Sequence, residues 1–514
     1  MTSPVIRPRS SRETRAPRPG LLTVAAEAPR VAPEEFLRRA SRSFREIGPV
    51  GHLWSPSGGV QSAGWGVARR FEIAGDARSG GFPGGNGDGG PEAHSDGVAL
   101  DQVAARASGL FRELAGAGEV PLRLFGGLAF DPGPDGANLA ASDWNEFGAG
   151  SFVLPRLGYV ADGDAAHLYA VIDATAVGAA PEWRRRLRRL AEDLDLAGGL
   201  GSGPNGNGHL GGLPEAANTL EALPGILRSL DRPAASEWLQ RVEELRGEVL
   251  SERLQKVVAA RVVELDLDRP FGIDDLACIA GRLRHGMPTC TRFAFLRGGS
   301  IFFGATPELL VRRRGRSIET QALAGSIASD PSPARRRELE RRLLASRKDR
   351  LEHDVVVRYL VERLDRSCGG VAPPAPPEVR VLPNVMHLET PIRAALPETV
   401  EPPHVLRLVR ALHPTPAVAG RPTPLALAAI RRSEDRDRGW YAGPVGWFDG
   451  NGDGEFSVAL RSCLATRRRG LLYSGNGIVA DSDPARELAE TNLKLDAILG
   501  AWGSQESARL ERHM

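Results

Sequence analysis

The second half of the chain carries its clearest signal in the spacing of apolar and polar positions. In QKVVAARVVEL, Lys256, Val258, Ala260 and Val262 fall on one face of a predicted strand, which puts an ammonium on an otherwise apolar surface. Burying it is unfavourable unless the group is paired or deprotonated. SIFFGATPELLVRR predicts strand, tight turn and strand, with Glu308 just after Pro307. Pro331 or Pro333 opens one long predicted helix that ends before Cys368 and Gly369, and Lys348, Asp349 and Glu352 share a face of it. After two Pro-punctuated segments, WYAGPVGWF, EFSVALRSCLAT and LLYSGNGIVA predict strands. The last predicted helix has Asp483 as N-cap and Pro484 at its first position, and it places Glu487, Glu490 and Lys494 at i, i+3 and i+7. Two helices thus each present two carboxylates and a lysine.

The first half is mixed. LRLFGGLAF and SFVLPRLGYV predict strands, and PEWRRRLRRLAEDLDL predicts a surface helix. The Gly-rich stretches 80–90 and 198–212 predict flexible loops, because neither has the strand-before, helix-after setting of a phosphate loop. DGNGDGEF begins like a calcium loop but has Leu460 where the twelfth position needs a glutamate, so it predicts a hairpin turn. SGNG, residues 474–477, reads either as a turn or as a set of N–H groups facing an anion.

Composition changes the picture at one point. Of 66 Lys plus Arg, three are lysines: Lys256, Lys348 and Lys494. Arginine stays protonated in nearly any site, whereas an ammonium can give up its proton, so the two are not interchangeable where a proton moves. Otherwise 41% hydrophobic and 25% charged residues with a net charge of +2 describe an ordinary globular protein, with no nucleic-acid or membrane partner implied. Cys278, Cys290, Cys368 and Cys463 form no metal or disulfide pattern, and His387 and His413 have no second histidine at ligand spacing. A cytoplasmic protein is expected, since there is no apolar run of membrane length and no signal-peptide core. Residues 1–30, with Arg7, Arg9, Arg12, Arg15 and Arg18 against Glu13, are expected to form a disordered tail. Residues 31–235 are expected to form the first half of the fold, with Gly-rich loop insertions, and 236–503 its catalytic region.

The second half resembles the chorismate-utilising enzymes, a group that includes isochorismate, salicylate, anthranilate and aminodeoxychorismate synthases. The resemblance runs in order through LQKVVAARV, FFGATPELL, ETQALAGSI, SRKDRLEHDVVV, NVMHLET, LHPTPAVAG, DRGWYAGPVGWF, ALRS, SGNGIV and ELAETNLKL, and FGGLAFDP and FVLPR of the first half are similar too. It implies an α+β fold in which two antiparallel β-sheets pack face to face with helices outside. It implies chorismate as substrate and Mg²⁺ as cofactor, with Lys256 as general base toward water and Glu308 as general acid toward the departing C4 hydroxyl. A desolvated, cation-rich setting is expected to activate Lys256. Glu352 and Glu490 match metal ligands, with Glu487 beside them. Arg461, Tyr441 and the N–H groups around Gly475, Asn476 and Gly477 match the binding site of the enolpyruvyl carboxylate. Lys494 matches a group near the ring carboxylate, and Ser326, His387 and Thr415 match polar pocket positions. Lys348 gains a place in the pocket but no defined role.

Within that family, Ala324 stands where aminodeoxychorismate synthases carry a nucleophilic lysine, and Lys256 stands where anthranilate synthases carry a non-basic residue. Both disfavour amination, and ALHPTPAVAG and RGWYAGPVGW resemble the isochorismate branch, which is therefore expected, serving menaquinone or a siderophore. Salicylate formation, with pyruvate eliminated afterwards, is the alternative, and anthranilate synthase component I a less favoured one. A monomer without a glutaminase subunit is expected.

Overall fold

The computed structural model describes residues 21–73, 95–114, 120–131, 139, 142–173, 178–198 and 223–503. Residues 1–20, the loop 80–90 and nearly all of 198–212 lie outside the described residues. The expected tail of residues 1–30 is corrected in its last third, where β1 (Leu21–Glu27) belongs to the fold. The apolar alternation of LLTVAAE gives it a buried face, and it pairs antiparallel with a strand near residue 170.

In the first half, helix α1 (Pro33–Ser43) leads to β2 (Gly51–Ser55) and β3 (Gln61–Ile73). Helix α2 (Ser95–Glu113) precedes β4 (Leu124–Leu128), β5 (Gly150–Asp162) and β6 (Ala165–Asp173). Helix α3 (Ala180–Gly198), strand β7 (Ile226–Arg232) and helix α4 (Ala235–Leu250) complete it. The second half begins with β8 (Lys256–Leu267), α5 (Ile273–Gly286), β9 (Thr291–Arg297), β10 (Ser300–Thr306), β11 (Leu309–Arg314) and β12 (Ser317–Ala328). Helices α6 (Pro333–Ala345) and α7 (Arg347–Cys368) precede β13 (Glu378–Val381) and β14 (Val385–Ala395). Then come α8 (Val405–Leu412), β15 (Gly420–Arg421), α9 (Thr423–Ser433), β16 (Pro444–Phe448), β17 (Gly454–Val458), β18 (Ser462–Thr466), β19 (Arg469–Ile478) and α10 (Pro484–Trp502).

The strand pairings are antiparallel and follow two branches. One runs β1-β6-β5-β3-β2-β9-β10-β18-β19-β8 and continues to β7 and β15. The other runs β5-β4-β16-β17-β11-β12-β14-β13. The branches share β5: residues 150–153 pair with β4, and residues 157–162 pair with β6. Side chains alternate along each strand, so the first branch has two apolar faces. Phe293, Phe295 and Phe302 point into a core shared with Val311, Ile318 and Phe456 of the second branch. Ala294, Leu296 and Phe303 point the other way, under residues of α1, α3, α5 and α10. The result is the α+β arrangement of sheets facing a common core with helices outside.

One element differs from expectation. The one long helix expected from Pro331 or Pro333 to just before Cys368 is two helices, broken at Ser346, whose extended backbone (φ −68°, ψ 116°) stops α6 while its side chain accepts the Asp349 N–H and caps α7. Gly369 closes α7 in the left-handed conformation. The expected N-cap of α10 is present, Asp483 accepting the Arg486 N–H at 2.9 Å. DGNGDGEF is the hairpin turn between β16 and β17. Among the described residues no helix is long and apolar enough to cross a membrane.

Candidate active site

All three lysines line one pocket, built from β8 and β19 of the first branch, β12 and β14 of the second, and helices α7 and α10. It holds about 940 Å³ of unfilled space, the open mouth included. Each lysine meets one glutamate. Lys256 Nζ lies 2.9 Å from Glu352, Lys348 Nζ 3.1 Å from Glu487, and Lys494 Nζ 2.9 Å from Glu490. The i, i+4 spacing on α7 brings Lys348 and Glu352 into the same pocket but not into contact with each other as a pair.

Lys256 begins β8, and its side chain is 1% exposed. It reaches Glu352 past Gly477 of β19, where any Cβ would meet Lys256 Cε at 2.5 Å and Glu352 Oε1 at 2.6 Å. The cation-rich setting expected for Lys256 is corrected here: its contact partner is a carboxylate.

Glu308 sits in the turn between β10 and β11. Its N–H donates to the Thr306 hydroxyl at 3.2 Å, that hydroxyl donates to Val458 O at 2.6 Å, and its carbonyl accepts the Val458 N–H at 3.1 Å. The turn is therefore fixed to β17. Burial pushes the Glu308 carboxyl up to about 8 against the opposing pull of Lys256 and Lys494. At neutral pH it carries a proton.

At the other side, β12 bulges at Gly325, whose φ of +77° suits glycine and whose missing Cβ leaves room for Asp349 at 3.0 Å. The bulge aims Ser326 at His387, with 3.0 Å between Oγ and Nδ1. Arg461 donates from Nη2 to His387 Nε2 at 2.9 Å. Burial first, then the Arg461 charge, lowers His387 well below the usual histidine range, so the ring is neutral. Arg461 thereby assigns the proton to Nδ1, which donates to Ser326 Oγ, and Ser326 in turn bonds Glu490. Arg461 itself has φ +48°, a left-handed backbone that a non-glycine residue adopts only when its surroundings enforce it. Tyr441 stacks on Tyr473 at 4.9 Å, and Gly475 leaves the space that the Tyr441 hydroxyl uses.

Two residues expected at the substrate are absent from the pocket lining. The Asn476 side chain bonds α10 instead: its Nδ2 donates to Glu487 O at 2.7 Å and its Oδ1 accepts from Lys494 at 2.7 Å. Because β19 alternates, Gly475 and Gly477 point inward and Asn476 outward. SGNG is strand, not an anion-binding turn. Thr415 does not line the pocket either; its Oγ1 accepts the Ala417 N–H at 3.2 Å and closes a turn. Sequence reasoning missed Arg438 and Tyr473, which both line the pocket. Arg438 had a signal in its i, i+4 spacing from Glu434.

The acids divide by environment. Burial and the nearby Glu490 charge raise Glu487. Burial also opposes ionisation of Glu490, but Lys494 and the Ser326 hydrogen bond outweigh it and keep Glu490 low. Asp349 is raised by burial and by Glu352. Among the described residues no three acids, histidines or cysteines converge on one point, and Glu352, Glu487 and Glu490 are each paired with a lysine, so a cation here would need substrate oxygens and water to complete its shell.

Residues 99–503 match the family described as chorismate binding enzyme. The chain belongs to that family. Among curated chorismate-binding relatives, the salicylate biosynthesis isochorismate synthase of Pseudomonas aeruginosa is 43% identical over 279 residues, 54% of this chain and 57% of that protein. The chain thus aligns with less than two thirds of that relative's length. The isochorismate synthase MenF of Bacillus subtilis is 32% identical over 74% of this chain and 75% of its own length. The solved structure of MenF, the menaquinone-specific isochorismate synthase of Escherichia coli, superposes with a TM-score of 0.70 at 25% identity, covering 94% of this chain and 95% of that one. The family's shared sheet architecture is therefore present in nearly full extent.

Proposed function

We propose that this chorismate-binding enzyme is an isochorismate synthase that adds water at C2 of chorismate and expels the C4 hydroxyl. The observation that supports it is the pairing, in one pocket, of a buried lysine with a buried carboxyl that keeps its proton at neutral pH. Hydroxide is a poor leaving group, so an acid must meet it while a base takes the proton of the attacking water. Glu308, protonated and fixed by its turn, suits the first role. Lys256 is assigned the second, which requires it first to release its own proton to solvent and to exchange Glu352 for the attacking water.

Arg461 and Tyr441 would bind the enolpyruvyl carboxylate, the arginine as a fork, with His387 and Ser326 holding it in place. Lys494 would face the ring carboxylate. Glu352 and Glu490, with Glu487 beside them, would hold Mg²⁺, which when bound supplies positive charge to that carboxylate. Ala324 lines the pocket, so the position offers no nucleophile for amination. We assign the product to menaquinone or siderophore synthesis in a cytoplasmic setting.

Incubation of the purified chain with chorismate and Mg²⁺ tests the reading. Isochorismate should accumulate and chelation should stop it. Accumulation of salicylate and pyruvate, with isochorismate only transient, would instead make the protein a salicylate synthase.

A further inference from the structure

Strand β8 carries Lys256 and has a gap on one edge. On that edge β15 pairs with Lys256 and Val257, and β7 pairs from Val262 onward. The Val258 N–H is met by Ala419 O at 2.9 Å. The next edge groups, Val258 C=O and Ala260 N–H, face no strand among the described residues.

Two side chains fill the gap. Glu434 Oε1 accepts the Ala260 N–H at 2.9 Å, and Arg438 Nη2 donates to Val258 O at 2.7 Å. One acceptor and one donor are what a neighbouring strand would present at that rung. The two side chains, 7% and 3% exposed, grip each other through Arg438 Nε and Nη2 at 2.8 and 2.6 Å. Arg438 Nη1 also donates to Val418 O at 2.8 Å, beside the segment leading into β15, and its guanidinium lies 4.3 Å from the Phe130 ring.

Arg438 lines the substrate pocket, which invites a substrate-binding role. Its donors point elsewhere, since all three of its nitrogens already bond protein acceptors. We propose that Glu434 and Arg438 form a positioning pair that stands in for a missing strand, fixing the backbone of β8 and with it the placement of Lys256. The expected effect on turnover rests on the isochorismate synthase reading; the effect on β8 does not.

Arg438→Lys keeps the charge but loses the fork, and Glu434→Gln keeps an acceptor for Ala260 but loses the charge. In the full chain, amide hydrogen exchange over residues 256–262 is measured beside kcat and KM for chorismate with Mg²⁺. Arg438→Lys should speed exchange of the Ala260 amide at least about tenfold and lower kcat roughly 100-fold, the scale of a misplaced catalytic group. KM should stay within about threefold and the pH profile should keep its shape, while Glu434→Gln lowers kcat about tenfold. A raised KM with unchanged kcat would make Arg438 a substrate ligand and overturn the proposal. Exchange and kcat both within about twofold of the parent would also overturn it. If the lysine variant does not fold, Glu434→Gln is judged against the same limits. A parent chain inert to chorismate refutes the catalytic reading alone, because exchange still decides the role of the pair.

Discussion

Glu308 holds a proton that its unfolded counterpart loses. Between the ordinary glutamate value of 4.5 and the folded value of about 8, the native state binds that proton and the unfolded chain does not. Its contribution to stability is therefore fully present below 4.5 and is lost as pH rises through about 8. Glu308→Gln copies the protonated form and does not titrate, so its melting temperature relative to the parent should rise steadily from pH 5 to pH 8. A difference independent of pH would place the proton elsewhere. In catalysis the same group sets the alkaline limb: kcat/KM of the parent should fall above about pH 8, and Glu308→Gln should lose that limb along with at least 100-fold in kcat, roughly the contribution of a general acid. Lys256→Arg keeps a buried charge beside Glu352, so it should fold and bind chorismate but not turn it over; near-normal kcat would remove Lys256 from the chemistry. Lys256 stood out in the sequence as an ammonium on an apolar strand face, whereas the role expected of Glu308 came from the family resemblance alone. The expectation for Asn476 came from the family resemblance and concerned its N–H, not its side chain. Carried to Ile478, the two-residue alternation of β19 puts Asn476 opposite Gly475 and Gly477.

At the scale of elements, the close approach of β19 to β8 is as demanding as any side chain. Gly477 has an ordinary φ, so alanine there strains no backbone; its methyl would instead press on Lys256 Cε and Glu352 Oε1, both near the ends of flexible side chains. Gly477→Ala should therefore melt within a few degrees of the parent yet lose most of its activity. A variant with parent-like kcat would show that the pair can shift without consequence. The break between α6 and α7 escaped the pattern reading because the charged, helix-favouring composition runs through it unchanged. What marked it was Ser346 with Asp349 three residues on, a capping arrangement. That break matters to the site, since it starts a fresh helix at Arg347 and so sets the rotation that aims Lys348 at Glu487 while Glu352 meets Lys256. The bulge at Gly325 was equally hidden: ALAGSI reads as an even strand, and only the pairing with β14 shows the shifted register.

Across the whole molecule, the two halves of the sequence are not two halves of the structure. The second half supplies the pocket, but its β9 pairs with β2 and its β16 pairs with β4. Residues 236–503 alone would leave both edges bare and uncover the apolar core they close, so that fragment should show no cooperative thermal transition. A sharp transition, with chorismate binding retained, would make it an independent domain. The sequence left this interleaving unread, because pairings as distant as Gly51 with Leu296 and Gly126 with Gly446 leave no trace in local periodicity. The strand shared by both branches has a further effect on motion. Since β5 runs continuously from its pairing with β4 into its pairing with β6, the sheets cannot swing apart like jaws about a flexible linker. Ligands are expected to enter and leave by smaller and faster fluctuations near the partly exposed Lys348 and Glu490 of α7 and α10, so release should be gated by exchange of ion-pair partners rather than by a slow domain opening.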